Sequence, residues 1–367
     1  MKNNQSKKIL IATNHAYMLW QFRRELITEL QKENYLVLLL PFDDHHYENL
    51  FIKMGIKCID TPIERRGINL FSDFELINRY RKILLEEQPD LVITYSIKPN
   101  IYVGLLCGLL NIRYFANVQG LGTAFQKAGL AQLVTLLYKL AFRKVRTVFF
   151  ENEANAKEFQ KRNIIPAEKQ KILQGAGINL ERYPYRPYPQ NDKIHFLYLG
   201  RIMHEKGIDE LFSAVRSLHA ERQDFVLDIV GFYEDDYKKQ VESLVKEGIA
   251  VFHGFQENPV PYYAAADCIV LPSYHEGMSN VLLEAAAVGR PLITSDIPGC
   301  REAVDLGATG FLVKVKDTKS LQEAMETFLN KTYVNRALMG KAGRRLMEQK
   351  FDKTQVVKDT IQVLGIG

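Results

Sequence analysis

Apolar residues along this chain come in short unbroken blocks: "KILIAT" from Lys8, "YLVLLLP" from Tyr35, "KCIDTP" from Lys57, "LVITYS" from Leu91, "RYFANV" from Arg113 and "TVFFEN" from Thr147. Blocks of this length, rich in Val, Ile, Leu and Phe and with little polar alternation, predict strands buried on both faces, as in a parallel sheet. Between them lie stretches such as "QFRRELITELQKE" and "DFELINRYRKILLEEQ", where apolar residues recur at helical spacing. The alternation predicts repeated βαβ units. It pauses at "GAGINLERYPYRPYPQND", dense in Gly, Pro and polar residues and therefore a linker. It then restarts with "IHFLYLG", "FVLDIVG", "AVFHG", "CIVLPS", "PLITSD" and "GFLV".

The economical reading is an α/β protein of two doubly wound, Rossmann-like domains. The first is expected over residues 1–180 and the second over 181–350, with a final helix over 351–367 packing back on the first. A chain of 367 residues is too long for one ordinary compact domain and supplies apolar material for two cores. The cleft between two such domains is where a ligand is expected.

Composition narrows the class. Cys58, Cys107, Cys268 and Cys300 are scattered without C-x-x-C spacing, which argues for a reducing compartment and against structural zinc. "MKNNQSKK" leads directly into the first strand, and no apolar run reaches the ~18 residues of a membrane span. A cytoplasmic protein, peripheral on the inner face of the cell membrane, is expected. The net charge of +5 is uneven: up to Gln190 there are 27 Lys and Arg against 18 Asp and Glu, and thereafter 21 against 25. From Leu91 to Phe150 there is no acidic residue, while Lys98, Arg113, Lys127, Lys139, Arg143, Lys144 and Arg146 are present among aliphatic and aromatic residues. Such a surface suits an anionic membrane or a phosphorylated substrate.

Two alternatives are disfavoured by absence. The first strand is not followed by G-x-G-x-x-G, and no P-loop pattern occurs, so a dinucleotide enzyme or an ATPase is not expected. "DDHH", Asp43 to His46, places neighbouring side chains on an extended segment, where they diverge; no metal is assigned.

Chemistry concentrates in the second half. In "HEGMSNVLLEAAAVGRPLITSD", Glu276 and Glu284 flank the opening of a helix that follows a strand. The loop and helix start, Gly277, Met278, Ser279, Asn280 and Val281, would bring free N–H groups and the helix dipole to a phosphate at the carboxyl edge of a parallel sheet. A carboxylate repels phosphate but accepts from sugar hydroxyls, so the ligand should carry both groups. In "YLGRIMHEKGIDEL", Gly200 ends a strand and allows close approach of a ligand, while Arg201 and Lys206 can neutralise a departing diphosphate.

Together, "GRIMHEKG" and the two-glutamate segment resemble the retaining nucleotide-sugar glycosyltransferases of family four, which have the GT-B fold of two facing Rossmann-like domains. The resemblance covers nearly the whole chain. It implies that Glu276 lies against donor-sugar hydroxyls, Glu284 toward the ribose, and Arg201 and Lys206 on the diphosphate. "YSIKPNIYVGLLCGLLNIRYFANVQGLGTAF" resembles bacterial enzymes that extend polyprenyl-diphosphate-linked sugars for capsule, O-antigen or N-glycan assembly. Those relatives typically have Thr or a similar residue where this chain has Gln119. The donor stays open among UDP-N-acetylgalactosamine, UDP-N-acetylglucosamine and UDP-galactose, and the acceptor is expected to be a lipid-linked saccharide. His15, Lys98 and Gln119 are expected at sheet edges facing the cleft. A metal-independent transfer is expected, with no cofactor beyond the nucleotide-sugar co-substrate, the cations and the helix N-terminus replacing a divalent ion. A GT-B sugar-nucleotide epimerase and a non-catalytic sugar-nucleotide-binding protein are the competing readings.

Overall fold

The computed structural model describes residues 6–366 except 44, 64–69, 122–124, 126 and 127. Asp44 of "DDHH" and Lys127 of the basic stretch therefore lie outside the described residues. The chain divides into two compact units, one of residues 1–176 with 355–367, the other of 177–354.

Unit 1 contains, in chain order, β1 (Lys8–Ala12), α1 (Ala16–Gln31), β2 (Tyr35–Leu40), α2 (Tyr47–Lys53), β3 (Lys57–Asp60), α3 (Leu70–Glu87), β4 (Leu91–Tyr95), α4 (Ile97–Leu110), β5 (Tyr114–Val118), α5 (Ala128–Ala141), β6 (Val148–Phe150), α6 (Glu153–Lys161) and β7 (Gln170–Ile172). All strand pairings are parallel, in the order β3-β2-β1-β4-β5-β6-β7. Strand alternation explains the apolar blocks. In β1, Leu10 and Ala12 join the core built with α3 to α6, while Ile9 and Ile11 join the core on the opposite face with α1 and α2. A strand covered on both sides leaves few positions for a polar residue, and those here, Thr94 of β4 and Asn117 of β5, are hydrogen-bonded within the core.

Unit 2 contains β8 (Ile194–Leu199), α7 (Ile208–Glu221), β9 (Phe225–Val230), α8 (Lys238–Lys246), β10 (Ala250–Gly254), α9 (Val260–Ala265), β11 (Cys268–Leu271), α10 (Asn280–Val288), β12 (Leu292–Ser295), β13 (Gly310–Val313), α11 (Thr318–Leu329) and α12 (Tyr333–Lys350). Its parallel sheet runs β10-β9-β8-β11-β12-β13. The last helix, α13 (Lys353–Leu364), carries the chain back into unit 1, where Val356, Leu364 and Ile366 are buried in the core of β1, β2 and β4. The four cysteines are unpaired. Among the described residues no helix is long and apolar enough to cross a membrane.

Both sheets reverse direction of growth once, between β1 and β4 in unit 1 and between β8 and β11 in unit 2. Loops leaving the carboxyl ends of two such strands diverge to opposite faces and leave a crevice, the usual ligand position in an open α/β sheet. The sequence-predicted residues cluster at these two reversals.

Candidate active site

In unit 2 the loops after β8 and β11 meet. Lys206, in a short turn after β8, places Nζ 2.6 Å from Glu276 Oε1 after β11, and both side chains are largely buried. Ser273 donates to the same carboxylate oxygen at 2.9 Å. The β11 loop is fastened to the β8 loop at two further points: the Tyr274 N–H donates to the Glu205 carbonyl at 2.9 Å, and its hydroxyl donates to Glu210 at 2.6 Å.

Two glycines set how closely these loops approach. Gly207 has φ +71°, and a Cβ there would stand 2.1 Å from the Pro272 carbonyl oxygen. Gly299 has φ +87°, and a Cβ there would stand 2.5 Å from the Gly277 carbonyl oxygen. Only glycine fits at either place, both for its backbone angle and for the missing side chain. The loop after β11 is thus met at Pro272 by the β8 turn and at Glu276–Gly277 by the loop after β12.

Helix α10 opens at this point. Ser279, buried at its N-cap, makes no side-chain capping bond, and its N–H donates to the Gly299 carbonyl at 2.8 Å. The first-turn N–H groups of Asn280 and Val281 have no partner within the helix. Elsewhere Asn152, Asp317 and Thr332 cap α6, α11 and α12 with their side chains. The helices that start at the four reversal strands, α1, α4, α7 and α10, have no such side-chain cap, and neither do α2, α8 and α9. A helix start without a side-chain cap leaves N–H groups that suit an anion.

The other predicted residues are placed as follows. Gly200 closes β8 and donates its N–H to the Val230 carbonyl at 3.0 Å. Arg201 follows with its side chain 44% exposed and Nη1 3.5 Å from Glu234, and its carbonyl accepts the hydroxyl of the fully buried Tyr198 at 2.5 Å. Burial, and then the Glu276 charge, push that phenol well above its ordinary range. Met278 is buried in the core, which leaves its backbone to the loop. Glu284 is at the start of the second turn of α10 and accepts from the Tyr263 hydroxyl at 2.9 Å. Desolvation raises its carboxyl above the ordinary carboxylate range, opposed by bonds from Tyr263 and Tyr183 and by the charges of Arg182 and Lys353.

In unit 1, Lys98 and Gln119 line one pocket of about 200 Å³ with Asn14, Ser96, Asn100 and Asn117. His15 is the N-cap of α1, next to Asn14. The ammonium of Lys98 is committed to Asp73 at 2.7 Å, with both side chains nearly buried. Gln119 bonds to Glu151, whose carboxyl is raised by burial and stabilised by Arg23 at 2.6 Å. Among the described residues no group of three His, Cys, Asp or Glu is placed to hold a metal ion.

Several structural partners escaped sequence reasoning. Arg290 is fully buried and donates to the carbonyls of Tyr263, Ala264, Arg186, Pro187 and Gly289, pinning the linker to unit 2; desolvation lowers its pKa to about 10. Ser273, Tyr263 and the Arg23–Glu151 pair carry no local signal. "PG" at Pro298–Gly299 signals a turn but not what the turn touches.

Residues 8–152 match the family Glycosyl transferase 4-like, and residues 186–346 match Glycosyl transferases group 1. The chain is 27% identical over 331 residues to N,N'-diacetylbacillosaminyl-diphospho-undecaprenol alpha-1,3-N-acetylgalactosaminyltransferase of Campylobacter jejuni, covering 85% of this chain and 86% of that protein. It is 25% identical over 315 residues to the capsular polysaccharide biosynthesis glycosyltransferase CapM of Staphylococcus aureus, covering 81% and 82%. Among solved structures it resembles Anabaena Alr3699/HepE in complex with UDP, with a TM-score of 0.81 over 98% of this chain and 99% of that one at 16% identity. With both halves matched in order and the fold shared along nearly its whole length, the chain belongs to the GT-B glycosyltransferases of the group 1 and 4-like families.

Proposed function

We propose that this glycosyltransferase moves a hexose or N-acetylhexosamine, with retention of anomeric configuration, from a UDP-sugar to a lipid-linked saccharide in surface polysaccharide or glycan assembly. UDP-N-acetylgalactosamine, UDP-N-acetylglucosamine and UDP-galactose are the candidate donors. The observation that carries the reading is the Lys206–Glu276 contact beside the uncapped start of α10. A cation, a carboxylate and a helix N-terminus at one crevice fit a ligand with a diphosphate and hydroxyls. The acceptor class rests on the relatives: the Campylobacter protein is named for a diphospho-undecaprenol substrate and CapM for capsular polysaccharide. UDP rests on the complex reported for the Anabaena protein.

In this reading Lys206 and Arg201 take the charge of the departing diphosphate, with the first-turn N–H groups of Asn280 and Val281, at the end of the Gly277–Ser279 loop, adding to it. Glu276 holds donor-sugar hydroxyls and Glu284 the ribose. Unit 1 takes the acceptor, with His15, Lys98 and Gln119 at its sheet edge. The chemical step is a same-face substitution: the C1–O bond to the diphosphate breaks as the acceptor oxygen bonds C1, and the acceptor proton passes to the leaving diphosphate. Preorganised charge is the main source of rate in such a site, and side-chain cations with a helix N-terminus can supply it without a divalent ion. The protein is placed on the inner face of the cell membrane, where its acceptor is anchored.

Incubation with labelled UDP-sugars and polyprenyl-diphosphate-linked acceptors, with and without chelator, tests the reading. A product of the donor's own anomeric configuration, formed equally with chelator, is expected. An isomerised sugar nucleotide, or binding without turnover, would overturn it.

A further inference from the structure

Helix α5 is apolar on its outer side as well as its inner one. Its inner side is core: Ala131, Val134, Tyr138 and Ala141 are buried. Its outer side carries Leu133, Leu136 and Leu140, 44%, 54% and 45% exposed, at a spacing of three and four residues that makes one stripe. The stripe runs into Arg143 and Lys144, both exposed. Lys144 donates to the side chain of Asn111 at 2.7 Å, and two residues before Asn111 stands Leu109, 78% exposed at the end of α4. Lys169 reaches the Arg143 carbonyl at 3.5 Å, and Lys171 is exposed beside it in β7. Three outward leucines of α5, with Leu109 on α4, are thus accompanied by Arg143 and Lys144 in a stretch with no acidic residue from Leu91 to Phe150, and Lys169 and Lys171 add charge from beyond it, where the exposed Glu168 adjoins them.

We infer that this face of unit 1 inserts into an anionic phospholipid surface, the four leucines entering the acyl boundary and Lys139, Arg143, Lys144, Lys169 and Lys171 pairing with headgroup phosphates. Scattered single leucines on a surface need no explanation, but an aligned stripe does. A second copy of the chain fits poorly, because two-fold self-contact through this face would set its cations against each other. A lipid surface supplies the complementary charge and the apolar layer together. The inference rests on the proposed lipid-linked acceptor only for its purpose; the surface itself is independent of which sugar is moved.

The two contributions separate by salt. Charge attraction is screened, whereas insertion of leucine is not. The test is co-sedimentation with phosphatidylethanolamine–phosphatidylglycerol vesicles, without donor or acceptor, at low and high salt. The full chain should bind at low salt and keep a measurable part of its binding at high salt. A Leu133→Ser, Leu136→Ser, Leu140→Ser variant should lose binding on the order of a hundredfold at both. A Lys139→Glu, Arg143→Glu, Lys144→Glu variant should lose it chiefly at low salt. A Val334→Ser, Leu338→Ser variant, exposed apolar positions of α12, should bind like wild type. Because all these positions are at the surface, unchanged circular dichroism and melting are expected. Wild-type vesicle binding by the leucine variant, or a wild-type dimer that this variant dissolves, would overturn the inference. Vesicle binding without any transfer to lipid-linked acceptors would refute the proposed acceptor and leave the docking face standing.

Discussion

At the scale of single residues, the central fact is that Lys206 and Glu276, seventy positions apart, touch at 2.6 Å in the crevice between β8 and β11. Removing either leaves the other charge half-desolvated without its partner, so each single change does more than delete one contact. Lys206→Ala and Glu276→Ala should each lower turnover by ~10²-fold or more with circular dichroism unchanged. The double variant should lose little beyond the worse single one, since groups that act as a unit are not additive. Losses that multiply in the double variant would show that the two act separately. Glu284 is a different case, lying within α10 and accepting from the Tyr263 hydroxyl. The proposed ribose contact of Glu284 would be present in ground and transition states alike, so Glu284→Gln should raise KM for the donor and leave the single-turnover rate at saturating donor nearly intact. An equal fall in that rate would remove Glu284 from the ribose.

At the scale of elements, the crevice depends on two loops being brought closer than side chains permit. Gly207→Ala would drive a Cβ into the Pro272 carbonyl and Gly299→Ala would drive one into the Gly277 carbonyl, each also at positive φ. Each should destabilise unit 2 by about 1–3 kcal/mol and weaken donor binding more than the stability loss accounts for. Thermal melting and donor titration on the same variants check this; a variant that melts lower but binds normally would detach the glycine from the site. These glycines also show where sequence reading stops. Strands β1, β2, β4, β5 and β6 are legible because a strand covered on both faces is predominantly apolar, and β1 is buried from Ile9 onward, whereas β3 is an edge strand with no fully buried residue. Strand β7 is not legible, because Gln170, Lys171 and Ile172 form a short edge strand with largely exposed side chains and no apolar pattern. The motif glycines and charges can be seen as candidates, since their residue types suit a phosphate. That Gly207 meets Pro272, or that Arg290 binds five carbonyls, depends on long-range contacts that no local pattern encodes.

At the scale of the whole molecule, the chain order is not the unit order. The polypeptide leaves unit 1 after Ala176 and returns at Gln355, and the two passages are paired: the Ile178 N–H donates to the Phe351 carbonyl at 2.7 Å, and the Lys353 N–H to the Ile178 carbonyl at 3.1 Å. Unit 1 therefore completes its core with residues that follow unit 2 in the chain. Val356, Leu364 and Ile366 are buried against the β1 and β2 side of the sheet, and Arg113 donates to the Leu364 carbonyl at 2.6 Å. Burying three such side chains contributes roughly 1.5–3 kcal/mol each, a sum comparable to the ~5–15 kcal/mol by which a whole domain is stable. A chain ending at Asp352 should consequently lose hydrogen-exchange protection in β1, β2 and β4 while β8, β9 and β11 keep theirs. Leu364→Ala, the milder form of the same change, should cost unit 1 about 2–5 kcal/mol. Undiminished protection of β1 and β4 in both variants would mean that the returning helix merely rests on a core already complete without it.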